Sequence, residues 1–136
     1  MKKKSSSKPK PTAGELAILN VLWGLESATV REIHAECERQ QPVGYTTVLK
    51  LLQIMTDKGL VTRDESERAH VYRPALKREE TQGQMVSDLL DRVFGGSAGQ
   101  LVLRALSERK ASKAEIEEIR CMLDNIEKGG KQGEKP

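Results

Sequence analysis

The chain has 136 residues and a net charge of +3, and 37% of it is hydrophobic, 3% aromatic and 32% charged. This length accommodates one compact domain or two small ones, and the hydrophobic content is lean for the core of a monomer. Because there is no signal peptide or long apolar run, we expect a cytoplasmic protein without a membrane span. The two cysteines, Cys37 and Cys121, lie far apart, which indicates reduced thiols rather than a disulfide framework.

The positive charge is concentrated at one end of the chain. The first ten residues contain five lysines and no acid, and the rest of the chain holds 18 basic and 20 acidic side chains. Net charge therefore does not identify a nucleic-acid-binding protein. Its distribution is more useful, because residues 44–77 have six basic and four acidic side chains, whereas residues 11–43 have two and five. This modest excess lies where phosphate contacts would be needed.

Both ends of the chain are polar. Residues 1–11 are almost entirely Lys, Ser and Pro, and residues 128–136 are rich in Gly and Lys. Neither segment has apolar side chains to bury, so we predict that both are disordered tails. The basic tail can lie along DNA phosphates or simply keep the protein soluble, and the sequence leaves both roles open.

Two capping boxes predict the first two helices, at Thr12-Ala-Gly-Glu15 and Thr29-Val-Arg-Glu32. The first helix should end near Gly24, and Gly44 should permit a tight turn after the second. The side chains predicted to face inward are Leu16, Leu19, Leu22 and Trp23 on the first helix and Val30, Ile33 and Cys37 on the second.

The stretch from Gly44 to Val61 predicts the helix that matters most. Apolar side chains recur at i, i+3, i+4 and i+7, at Val48, Leu51, Leu52 and Met55. The opposite face carries side chains that form hydrogen bonds, namely Tyr45, Thr46, Lys50, Gln53 and Asp57. Gly59 should end the helix.

Residues 62–74 predict two short strands joined by a charged tip. In the second strand, Val71 faces one side and His70 and Tyr72 face the other, as in a half-buried strand. Three helices followed by a hairpin indicate a winged helix-turn-helix DNA-binding domain over residues 12–77. An ordinary surface helix followed by a hairpin is the alternative reading of the same pattern.

Residues 78–127 predict three more amphipathic helices, with a stop at Gly95-Gly96 and a third capping box from Ser112 to Glu115. Helices this short cannot enclose a core alone, so we predict a C-terminal three-helix dimerisation region in a mainly α protein. The dimerisation set, the apolar residues predicted to pack between two copies, comprises Val86, Leu89, Leu90, Val93, Phe94, Leu103, Leu106, Ile116, Ile119, Leu123 and Ile126.

The candidate DNA-binding side chains lie on the third helix and the hairpin. Side chains at the start of a recognition helix meet base edges, Lys suits guanine acceptors, and Gln suits adenine. Wing residues contact phosphates and set the register. The candidates are Tyr45, Thr46, Thr47, Lys50 and Gln53 on the helix, and Arg63, Arg68 and His70 on the wing. Thr47 could equally be a phosphate contact or a first-turn cap.

Other function classes have little support in the sequence. There is no nucleophile–base pair, no Gly-rich phosphate loop and no cluster of Cys or His, so we expect no enzyme, no metal and no cofactor. A winged helix can instead mediate protein–protein contact, but Lys50 at the centre of the third helix favours DNA. A small-molecule sensor is a further alternative, against which the low aromatic content argues.

Four segments together resemble the penicillinase repressor family of winged-helix repressors, the BlaI/MecI/CopY type. They are residues 15–23, residues 45–48 with 58–61, residues 72–74, and residues 92–96 followed by 115–123. The resemblance implies a homodimeric transcriptional repressor that binds a palindromic operator in double-stranded DNA. An inducing protease or sensor is a further implied partner.

The chain departs from this family in two places. Copper-sensing members end in Cys-x-Cys motifs, and this chain has none, so copper sensing is not expected. Penicillinase repressors are cleaved at an Asn-Phe bond, and the matching pair here is Asp88-Leu89. The sequence therefore leaves the inducing signal, the operator and the regulated genes open.

Overall fold

The computed structural model describes residues 10–129. Over this range the chain forms six α-helices and three short strands and is mainly α, as predicted. Their bounds are α1 Ala13–Leu25, β1 Ala28–Thr29, α2 Val30–Gln40, α3 Tyr45–Lys58, β2 Val61–Asp64, β3 Val71–Pro74, α4 Arg78–Val93, α5 Ala98–Glu108 and α6 Lys113–Gly129.

The predicted tails lie mostly outside the described residues. At the C-terminal end, however, α6 continues to Gly129, two residues into the segment predicted to be disordered. The prediction is corrected there, because Lys128 supports a helix and nothing before the glycine pair at 129–130 breaks it.

The chain divides into two compact units, and the boundary between them falls between Ser87 and Asp88, inside α4. The sequence placed a boundary after residue 77. In the structure the first turn of α4 still packs with the N-terminal unit, since Arg78 lies over the Trp23 ring at 5.7 Å and Thr81 is buried.

All three predicted capping boxes are present. In each, a hydroxyl accepts from the backbone N–H of a glutamate three residues later, and that carboxylate accepts from the backbone N–H of the capping residue. The pairs are Thr12–Glu15, Thr29–Glu32 and Ser112–Glu115. Each cap stabilises its helix by about 0.5–2 kcal/mol.

The core of the N-terminal unit forms where α1 packs against α2, α3 and β3. The apolar residues buried from α1 are Ile18, Leu19, Val21 and Leu22. Leu16 and Trp23 were predicted to face inward, but both are only half-buried. A helix with neighbours on three sides buries a wider stripe than a helix with one buried face, which is why Ile18 and Val21 join the core.

The ends of α1 and α4 show how glycines act in this chain. Helix α1 ends at Leu25, one residue past Gly24 and thus near the predicted place, and Glu26 takes the positive φ of 75° at its C-cap. Helix α4 ends as predicted, with Gly95 and Gly96 at φ 58° and 83° and the Gly96 N–H bonded to the Leu90 carbonyl at 2.7 Å.

The strands form an antiparallel sheet in the order β1-β3-β2. The predicted hairpin is present, but the sequence did not predict β1, which pairs Ala28 with Tyr72. The inward side chain of β3 is Tyr72, at 2% exposure, whereas Val71 is half-buried. Tyr72 faces inward because residues paired across antiparallel strands share a face, and its partner Ala28 is buried.

Candidate nucleic-acid interface

Helix α3 separates apolar and polar side chains as predicted. Val48, Leu52 and Met55 are at most 1% exposed and form part of the core. The predicted base-reading residues all lie exposed on the rest of the helix; they are Tyr45, Thr46, Thr47, Lys50 and Gln53. Since burial of the apolar side fixes the rotation of the helix, the polar side chains must face solvent together.

The two ends of α3 are capped differently. At the C-terminal end, Gly59 has a φ of 84° and the Leu60 N–H bonds to the Met55 carbonyl at 2.9 Å. At the N-terminal end, the cap residue is Gly44 and no side chain caps the helix, so Thr47 does not act as a cap. Within residues 10–129, no capping side chain thus bonds to the backbone N–H groups of the first turn, and such groups suit a phosphate oxygen.

His34 of α2 lies against the beginning of α3. Its Nε2 atom is 2.9 Å from the Val43 carbonyl oxygen and 2.9 Å from Glu38 Oε1. The His34 and Tyr45 rings meet edge to face, with centroids 5.6 Å apart and planes at 78°. The sequence showed His34 only as an isolated histidine; its position nine residues before Val43 gave no periodic signal.

Lys58, in the last turn of α3, forms an ion pair within the protein and is therefore not available to bind a phosphate. Its Nζ atom lies 2.7 Å from Glu15 Oε1, and the Glu15 side chain is only 3% exposed. Burial alone would raise the pKa of Glu15, but the bonds from Lys58 and Thr12 outweigh it and hold the pKa below its ordinary value. One of the six basic side chains counted over residues 44–77 therefore neutralises a buried carboxylate.

The wing presents the three residues predicted to contact phosphates. Arg63, Arg68 and His70 are all exposed. Arg63 Nε lies 2.7 Å from Glu65 Oε2, and a hydrogen bond to Tyr72, followed by the Glu65 charge, raises the pKa of Arg63. A phosphate would have to compete with Glu65 for this guanidinium.

A second ion pair and a local turn lie at the same end of the hairpin. Arg73 Nη1 is 3.9 Å from Asp64 Oδ2, and Asp64 accepts from the Ser66 N–H at 2.9 Å. The Ser66 bond lowers the pKa of Asp64. The tip therefore carries acidic as well as basic groups, and only part of its positive charge is available to DNA.

The dimerisation set is largely open to solvent in the single chain. Leu90, Phe94 and Ile119 are half-buried. The other eight predicted members are exposed, and they are Val86, Leu89, Val93, Leu103, Leu106, Ile116, Leu123 and Ile126. Val102 and Met122, which the sequence did not single out, are exposed as well, at 44% and 63%. In the described part of the chain, α5 and α6 bury no residue fully.

Comparison with known proteins identifies the family. The profile described as penicillinase repressor matches residues 11–125. The chain belongs to the penicillinase repressor family. This confirms the resemblance seen in four sequence segments, and it extends the match over both compact units.

Curated members of the penicillinase repressor family align along most of the chain. The penicillinase repressor of Staphylococcus aureus is 27% identical over 114 residues, covering 84% of this chain and 90% of its own length. The transcriptional regulator BlaI of Mycobacterium tuberculosis is 31% identical over 116 residues, covering 85% and 83%. The methicillin resistance regulatory protein MecI of Staphylococcus aureus strain N315 is 22% identical over 113 residues, covering 83% and 92%.

Among solved structures, monomeric BlaI of Bacillus licheniformis in complex with the blaP half-operator is similar to the chain. It has a TM-score of 0.48 and 22% identity, and the match covers 54% of this chain and 90% of that one.

The described residues of this family member form neither a metal site nor a membrane span. Among residues 10–129, no group of three or more His, Cys, Asp or Glu side chains could hold a metal ion. No helix in that range is long and apolar enough to cross a membrane. Cys37 packs partly against the core, where burial raises the pKa of its thiol and disfavours the reactive thiolate. Cys121 is exposed on the single chain.

Proposed function

We propose that the chain is a sequence-specific DNA-binding transcriptional repressor that acts as a homodimer on a palindromic operator. The observation that carries the proposal is the exposed polar face of α3, where Thr46, Lys50 and Gln53 point to solvent while the opposite side of the helix lies in the core. Membership of the penicillinase repressor family supports it. A protein-contact module is disfavoured, because that use of the fold needs an acidic or buried third helix.

In this proposal the helix reads bases and the wing holds phosphates. Thr46 at the start of α3 contacts a thymine methyl or a base-edge acceptor, Lys50 reaches guanine acceptors, and Gln53 pairs with adenine. The first-turn N–H groups of α3 bind a phosphate, and Arg63, Arg68 and His70 hold the backbone on the wing side. Phosphate contacts provide affinity, and the α3 contacts provide the choice of site.

The homodimer is supported by the exposed dimerisation set. Leu103 and Leu123 are 64% and 59% exposed, and Val93 is 64% exposed. Large apolar side chains clustered on short helices are costly to leave in water and mark association surfaces. A second copy is the proposed occupant, since two winged helices related by a twofold axis match a palindromic operator. Repression follows because an occupied operator excludes the transcription machinery.

The test is to select bound duplexes from a random library with the full-length chain. We expect a palindrome with two half-sites about 10 base pairs apart, or a multiple of that spacing, centre to centre. The matched variants are Thr46→Ala on α3 and Arg39→Ala on α2, because Arg39 is exposed and, among residues 10–129, pairs with Glu36 of its own helix. The first should alter the selected sequence and the second should not. Recovery of no common sequence by the wild-type chain would refute the proposal.

A further inference from the structure

The start of α3 is held by a side chain from another helix. Helices α1, α2 and α5 each begin with a hydroxyl cap, from Thr12, Thr29 and Ser97. Helix α3 begins at Gly44 and has no such cap. The segment that leads into it instead accepts a hydrogen bond from His34 of α2, at the Val43 carbonyl.

Two neighbouring oxygen atoms determine that Nε2 of His34 acts as a hydrogen-bond donor. Val43 O and Glu38 Oε1 both lie 2.9 Å from this atom, and both are acceptors. Nε2 must therefore carry the proton and donate it. The His34 side chain is 26% exposed, so this bond forms in a partly shielded position, where it fixes the α2–α3 turn against α2.

The same imidazole supports the first residue of α3. Its ring packs edge to face on the Tyr45 ring, whose residue is 47% exposed. One side of Tyr45 is thus held by His34 while the rest is open to solvent. Edge-to-face pairs of aromatic rings are directional, so the contact restricts the orientation of Tyr45 as well as its position.

We propose that His34 is a positioning residue for operator recognition: it sets where the first turn of α3, with Tyr45 and Thr46, stands relative to the base edges. The inference rests on the proposed DNA-binding function. His34 acts through Val43 and Tyr45 and does not itself touch DNA. Its loss should therefore reduce the preference for the operator over unrelated DNA, while affinity driven by phosphate contacts is preserved.

Two substitutions separate the parts of this role. His34→Phe keeps an aromatic edge for Tyr45 but removes the donor to Val43, and His34→Gln keeps a donor but removes the ring. We expect His34→Phe to lose about five- to tenfold in operator affinity, the equivalent of one hydrogen bond, with binding to an unrelated duplex unchanged within about twofold. His34→Gln should lose about two- to fivefold, through the ring contact.

The dissociation constants are measured by fluorescence anisotropy for the selected operator and a scrambled duplex at one salt concentration, with thermal denaturation in parallel. Arg39→Gln is the matched control on the same helix and should leave the operator-to-scrambled ratio unchanged. In a Tyr45→Leu background, His34→Gln should cost less than in the wild type, because the ring contact that it removes is already absent.

The outcomes distinguish a failure of the inference about His34 from a failure of the proposed DNA-binding function on which it rests. Equal weakening on both duplexes by both His34 variants would show a merely structural role and overturn the inference. The inference would also be overturned if neither His34 variant changed the ratio of the operator and scrambled dissociation constants. It would be overturned as well if the effects of the His34 and Tyr45→Leu substitutions were fully additive. If His34→Phe melts below the assay temperature, the ratio for His34→Gln decides. A wild-type chain that itself shows no operator preference would instead refute the proposed function.

Discussion

Lys58 and Glu15 join the end of α3 to the first turn of α1 through a contact of 2.7 Å across 43 residues of sequence. Glu15 also completes the α1 capping box, accepting from the Thr12 N–H at 2.9 Å. One nearly buried carboxylate thus satisfies a helix end and a cation together. Its charge is compensated on two sides, so the position of α3 against α1 depends on both partners.

Breaking this pair should destabilise the fold. Removing one partner of a buried ion pair costs about 3–5 kcal/mol, and we expect about 2–4 kcal/mol for Lys58→Met because Lys58 itself is partly exposed. Urea denaturation at neutral pH measures the change. Arg104→Met, which removes one partner of the exposed Arg104–Glu108 pair, is the control and should cost far less. Similar losses in the two variants would contradict the structural role of Glu15.

The same pair should make stability depend on pH. The folded pKa of Glu15 lies below the ordinary glutamate value of 4.5. Its contribution to the free energy of unfolding is therefore fully present above that value and is lost as pH falls through the lower, folded pKa. In acid titrations followed by circular dichroism, Glu15→Gln should flatten the loss of stability below pH 4.5. A titration of the variant identical in slope to the wild type would count against the assignment.

Base reading by α3 predicts position-specific losses. Thr46→Ala and Gln53→Ala should each lose about 1–3 kcal/mol of operator binding and relax the preference at one base position per half-site. Both residues are exposed, so the fold should tolerate the changes. Binding to single-base operator variants locates the affected positions. Intact preference in both variants would mean that α3 is not the reading helix.

Substitution of Arg63 should affect DNA binding differently from the substitutions on α3. As a phosphate contact, Arg63→Ala should weaken binding to all duplexes and lower the slope of log affinity against log salt by about 1. Because Glu65 lies 2.7 Å from Arg63, Glu65→Gln should strengthen binding without changing sequence preference. Salt titrations of both variants make the comparison. A weakening confined to the operator would instead assign Arg63 to base recognition.

If the dimerisation set holds two copies of the chain together, the association state should depend on protein concentration. Ile119→Asp combined with Leu123→Asp should place charge in the interface, dissociate the protein and abolish tight operator binding. Glu117→Lys with Arg120→Glu, which exchanges the charges of an exposed pair on the same helix, is the control and should leave the dimer intact. Sedimentation velocity gives the association state. A stable wild-type monomer at micromolar concentration would remove the basis of this prediction.

We expect that release of the protein from DNA does not involve cleavage of the bond between Asp88 and Leu89. The pair that occupies the position of the family's scissile bond is not Asn-Phe, and Leu89 belongs to the dimerisation set, so a protease would first have to open the paired helices. Mass spectrometry of the intact protein from its own cells, with and without a β-lactam, follows this directly. A fragment that ends at Asp88 and forms only after drug exposure would restore proteolytic induction.

Local sequence patterns determined much of this protein by themselves. The capping boxes, the glycine stops after α3 and α4 and the two faces of α3 all depend on contacts within a few residues along one helix, so their spacing in the sequence is sufficient to predict them. The order of these elements was enough to indicate the winged helix, and four sequence segments resembled the penicillinase repressor family. The candidate side chains on α3 followed, because a buried stripe fixes which side of the helix remains exposed.

Only the tertiary structure decided how those elements meet. Strand β1 has two residues and therefore no period, and its pairing with β3 is what turns Tyr72 inward. The contacts of His34 with the α2–α3 turn and of Lys58 with Glu15 join side chains on different elements. Such pairings depend on how the elements pack in space, and no regular spacing along the chain records them.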